Sequence, residues 1–205
     1  MEYTTLPPRA TVERLVANLK ERNIEGIIVE TKEDALAKIK ELIPQGASVM
    51  NGASRTLDEI GFIEYLKSGN HGWDNLHAAI LAEKDPAKQA QLRKQSVLSD
   101  YYLGSVHALA ETGELVIASN TGSQLPHIVF TSPNLIFVVS TQKIMPTLAD
   151  AQKRLREHVV PLEDKRMMAV YNVGTHISKE LIFHYEHPMM GRKVRVLFVN
   201  EKLGF

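Results

Sequence analysis

The sequence predicts an α/β fold: a mainly parallel sheet with flanking helices. Three patterns carry this reading. Residues 11–67 run helix, strand, helix, strand, loop, helix. Apolar strand-like runs resume at 101–106, 114–119 and 135–140, and Leu135–Val139 is apolar without interruption, as in a strand covered on both faces.

Taken in order, Thr11–Arg22 is expected as a helix capped by Thr11, with Val12, Leu15, Val16 and Leu19 on one face. Ile24–Glu30 reads as a strand. Thr31 then caps a helix with Leu36, Ile39 and Ile43 inward and Pro44 near its end. Ala47–Met50 is the second strand. Thr56 and Glu59 have capping-box spacing for a helix towards Lys67. Ser68–Asp74 is a loop rich in breakers, and a polar helical insertion follows around 76–98. Thr147–His158 is expected as a helix, with Asp150 early and Lys153, Arg154, Arg156 and His158 late, in the order that suits its dipole. Lys179–Tyr185 and Val194–Val199 read as two strands joined by a Pro188–Arg192 turn, and Arg192, Lys193 and Arg195 as a charged edge. One domain over 1–205 is expected, with helices 11–43 as its appendage.

The 205 residues carry 24 basic and 24 acidic side chains, which argues against long-range attraction to nucleic acid or an anionic membrane. No apolar run approaches the roughly 20 residues that span a bilayer. The first residues lack the basic and apolar regions of a signal peptide, so a cytoplasmic location is expected. The chain has no cysteine, which excludes disulfides, a cysteine nucleophile and thiolate-held iron–sulfur clusters. Neither GxxxxGK[ST] nor GxGxxG occurs, and no cofactor is expected.

Glu111, followed by Thr112 and Gly113, is the candidate nucleophile or general base, because Gly113 allows close backbone approach. A turn cap or a partner for a lysine is the alternative. Asn51, Gly52 and Ser54 follow a strand and precede a helix, where N–H groups and a hydroxyl suit an anion; Ser54 as a plain helix cap is the alternative. Thr121, Gly122, Ser123 and Gln124 form a loop of small donors. His127 either lines the same site or is a half-buried turn histidine. Lys143, after the apolar strand, reaches for a carboxylate at the sheet edge or is solvated. His176, His184 and His187 lack metal-ligand spacing, and no metal is expected. Trp73 either anchors a subunit contact or packs locally.

Ala108–Val116 (ALAETGELV), Thr121–Pro126 (TGSQLP), VVSTQKI at 138–144 and the Leu148–Ala151–Arg154 helix resemble the LUD (lactate-utilisation domain) family. His158–Asp164 and the closing Asn200–Phe205 are similar to its compact single-domain, lactate utilisation protein C-like branch. The resemblance covers roughly 45–205. It implies a fold like that of CoA transferases, ribose-5-phosphate isomerase and glucosamine-6-phosphate deaminase. It also implies a link to oxidation of L-lactate to pyruvate, with iron–sulfur subunits carrying electrons where that system has several subunits. Two readings follow: a subunit that supports use of lactate or a similar small hydroxy or keto acid, binding a small anionic ligand; or a free-standing transferase-like or sugar-phosphate-isomerase-like enzyme using Glu111. A scaffold assembling through residues 76–95, and a homo-oligomer, stay open beside them.

Overall fold

The computed structural model describes residues 2–205. Helix α1 (Arg9–Glu21) starts two residues before the expected Thr11 cap: Pro8 is the N-cap residue and its carbonyl accepts from the Thr11 N–H at 2.9 Å. Strand β1 (Glu25–Val29) follows. Helix α2 (Lys32–Leu42) opens on a reciprocal capping box between Thr31 and Asp34. Strand β2 (Ser48–Asn51) leads to α3 (Arg55–Glu59), capped by Ser54 rather than Thr56. The expected helix to Lys67 is broken at Gly61, whose φ of 78° is left-handed, and restarts as α4 (Phe62–Ser68).

The two-residue strand β3 (Asp74–Asn75) precedes the insertion, formed by α5 (Leu76–Ala82), α6 (Pro86–Gln95) and a 3₁₀ turn to Leu98. Helix α6 buries none of its residues. Next come β4 (Tyr101–Gly104), β5 (Ala108–Ala110), β6 (Leu115–Ser119), β7 (Asn134–Ser140) and β8 (Ile144–Met145). Helix α7 (Leu148–Arg154) does not stop near His158. It passes through a π-helical turn, Leu155–Val159, into α8 (Val160–Tyr171), with Pro161, which has no N–H to donate, just after that turn. Strands β9 (Lys179–Phe183) and β10 (Lys193–Val199) close the chain.

The main sheet is wholly parallel, in the order β1-β10-β7-β4-β2-β3. Strand β7 lies inside it, and its side chains alternate between two cores. Leu135, Phe137 and Val139 face the core shared with α1, while Ile136 and Val138 face the core shared with α2, α3 and α4. The 11–43 segment supplies edge strand β1 and buries Val12, Leu15, Leu19, Ala35 and Ile39 against the sheet.

A second sheet, β8-β5-β6-β9, is antiparallel except for the β5–β8 pair. Strands β9 and β10 therefore belong to different sheets and are not a hairpin. The charged-edge reading of 192–195 is corrected as well, because β10 sits between β1 and β7. Arg192 is buried; it donates to the carbonyls of Ser132, His127 and Ile128 and lies 3.4 Å from the Glu186 carboxylate. Trp73 packs locally, stacked on His71 with its indole N–H on the Ile43 carbonyl.

Candidate functional site

A cleft of about 640 Å³ opens where the C-terminal ends of β2 and β4 meet the loop after β6 and helix α8. Ligands collect at this edge of a parallel sheet, because loops there diverge and expose backbone donors. Of the expected residues, Asn51, Gly52, Ser54, Thr121, Ser123, Gln124 and Lys143 line it.

Asn51 is buried and shares a 3.3 Å contact with His77 Nδ1, supplied by α5. Gly52 must be a glycine: a Cβ there would overlap the Tyr102 hydroxyl. That hydroxyl donates to Gln124 Oε1 at 3.4 Å, and Gln124 Nε2 donates to the Ala118 carbonyl at 2.8 Å, which anchors the 121–124 loop to β4 and β6. Ser54 spends its hydroxyl on the Leu57 N–H, so it caps α3 while lining the cleft.

Lys143 forms the floor. It is only 4% exposed, yet among the described residues no carboxylate touches its Nζ. The amine instead donates to Thr56 Oγ1 (3.1 Å), Ser105 Oγ (3.2 Å) and the Val106 carbonyl (3.3 Å). Burial pushes its pKa down to about 7; the nearby Arg154 guanidinium adds to this, and Glu59 opposes it. Glu59 is already engaged by Arg55 and by the Gly204 N–H.

His107 lines the cleft beside this lysine. Its Nδ1 accepts from the Ala118 N–H at 3.0 Å, which assigns the ring proton to Nε2, and burial, with the charges of Lys143 and Arg154, lowers its pKa to about 3. Arg154 is fully buried behind it, held by the His107 carbonyl at 2.6 Å and that of Tyr3 at 3.4 Å, and its Nε has no partner among the described residues. Burial draws its pKa down to about 10. Lys143 at the cleft and Arg154 behind its lining thus have no carboxylate in contact among the described residues.

The other expected residues lie elsewhere. Glu111, Thr112 and Gly113 do not line the cleft. The Glu111 carboxylate pairs with Arg14 at 3.3 Å, its carbonyl accepts from Asn18 at 2.7 Å, and its N–H donates to Met145. Gly113, at φ 105°, lies against Arg22, whose Nε donates to the Thr112 carbonyl. Gly122 turns the chain at φ 87° and packs on Lys179 rather than facing the cleft. His127 is 2% exposed; its ring stacks on Tyr102 at 4.5 Å and its Nδ1 meets Ser99 and Ser132, so it is a core histidine.

Sequence reasoning missed Thr56 as a site residue, and with it Ser105, His107 and His77. A signal existed for two of these, since Ser105-Val106-His107 directly follows the apolar strand β4. Among the described residues no group of His, Asp or Glu could hold a metal ion, and no helix is long and apolar enough to cross a membrane.

Comparison with known proteins agrees with this architecture. A solved structure of a DUF162 family protein from Deinococcus radiodurans is similar over 95% of this chain and 99% of that one, with a TM-score of 0.53 and 12% identity, a likeness of fold. No curated protein matches the chain. The LUD domain family model matches residues 12–187, from α1 through the segment after β9, and so takes in the second sheet, the main sheet apart from β10, and the lining of the cleft except Phe205. The chain belongs to the LUD domain family, which is associated with lactate utilisation.

Proposed function

We propose that this chain serves lactate utilisation by binding a small 2-hydroxy or 2-keto acid, such as lactate or pyruvate, over Lys143. The observation that carries the reading is a buried amine at the cleft floor, hydrogen-bonded only to neutral groups and backed by buried Arg154. An entering carboxylate supplies the opposite charge that this pair lacks. It also raises the Lys143 pKa, so binding near neutral pH takes up a proton. The hydroxyls of Thr121 and Ser123 stand at the same cleft to receive polar atoms of the acid. Without cysteine the chain holds no thiolate-bound cluster, so electrons from lactate pass to iron–sulfur partner subunits.

The cleft volume favours a second reading. About 640 Å³ exceeds what a three-carbon acid fills and suits a sugar phosphate or the end of a CoA ester. Titration calorimetry with L-lactate, pyruvate, ribose 5-phosphate and acetyl-CoA, in two buffers of different ionisation enthalpy, separates these readings. Saturable binding of lactate or pyruvate with proton uptake supports the first. Binding of only the phosphate or the thioester replaces it with the second.

A further inference from the structure

We infer that Lys143 forms a reversible imine with the carbonyl carbon of a 2-keto acid bound in the cleft. The inference rests on the keto-acid reading above and adds a covalent step to it. A lysine acts as a nucleophile when its amine is uncharged, accessible to the substrate and free of a carboxylate partner. Other lysines that find a charged partner do so towards the surface, as Lys38 does with Glu41 and Lys67 with Glu64. Lys143 is buried, lines the cleft and has only two hydroxyls and one carbonyl on its Nζ. Its position against Gly204 matters too, because a side chain there would crowd both Thr56 and the amine. Before the acid enters, burial, with the Arg154 charge adding to it, keeps much of the amine neutral near pH 7. The carboxylate of the bound acid draws a proton onto part of it, and the fraction that stays neutral is the one that attacks.

The step balances without a redox partner. The Nζ lone pair attacks the keto carbon and the C=O oxygen takes a proton to give a carbinolamine. That hydroxyl then leaves as water with the second amine proton, and a C=N bond replaces the C=O bond. The Thr56 and Ser105 hydroxyls, which accept from the amine at rest, are placed to donate to the departing oxygen once the lone pair is used.

Pyruvate with sodium cyanoborohydride tests the inference, since hydride converts the imine into a stable secondary amine that peptide mass mapping locates. The expected result is one adduct, at Lys143, suppressed by excess L-lactate, with the adduct lost in Lys143→Met. The lactate competition needs no variant and so stands even where Lys143→Met fails to fold. Adducts spread over surface lysines, or none at Lys143 while calorimetry still detects pyruvate, overturn the imine and leave the binding reading intact. Neither adduct nor binding overturns both.

Discussion

Lys143 and Glu111 occupy the two ends of one short parallel strand pair, and they have opposite surroundings. Strand β5 pairs with β8 through Leu109–Ile144 and Ala110–Met145. Lys143 precedes β8 and Glu111 follows β5, so about three residues of strand, roughly 10 Å, separate their levels. At the first end the amine is buried under the cleft among neutral acceptors. At the second the carboxylate is part-exposed and paired with Arg14 of α1. A glutamate beside a glycine attracts attention in a sequence, but an ionised group at a surface turn with an arginine beside it is a common arrangement of little energetic consequence. A lysine without an acidic partner inside the protein is rare, because its charge goes uncompensated.

Substitutions at the two ends sharpen this contrast. The largest effect is expected next to Lys143. Arg154→Ala should cost about 3–5 kcal/mol in urea unfolding, since it empties a fully buried site and removes the donor of the His107 carbonyl. Lys143→Met should weaken binding of pyruvate or lactate by at least about tenfold in calorimetry, the loss expected for a charge-assisted contact. Gly52→Ala should cost about 1–3 kcal/mol and displace the Tyr102 hydroxyl from Gln124, read as weaker ligand binding and a lower urea midpoint. Glu111→Gln should change stability by less than about 1 kcal/mol and leave binding intact. Loss of binding in that variant, with the fold preserved, would return the carboxylate to the site and break the comparison.

Proton linkage provides a further test with defined signs. Burial holds Lys143 at about 7 in the folded chain, below its ordinary range. From pH 7 up to that range the unfolded chain therefore carries the extra proton, and stability rises with pH. The slope should flatten in Lys143→Met. His107 and His127 are held at about 3 and about 4, so their neutral forms favour the fold above the ordinary histidine value. That contribution is lost as pH falls from about 6.5 through those values. Urea unfolding measured across this acid window should show the decline.

Much of the architecture was legible in the chain. The apolar run of β7, the Thr31 cap and the helical insertion all lie where periodicity and caps put them. The loops of 51–54 and 121–124 were also legible as cleft loops, since both follow apolar strands. The second sheet was not, because β5 and β8 have three and two residues, too few to show a period. Arg154 read only as a late-helix cation that suits the dipole; its burial arises from the π-helical continuation into α8 and the packing of α7 on β5.

Local chemistry thus determined what this sequence could show alone: the strand and helix periods, the caps, the exclusion of thiolate chemistry, and the loops that gather at one sheet edge. Tertiary structure decided which charged groups matter. Desolvation depends on what surrounds a side chain in space, and the residues that strip Lys143 of water and leave it without a carboxylate come from Thr56, Ser105, Val106 and Arg154, distant from it in the chain or carried on other elements.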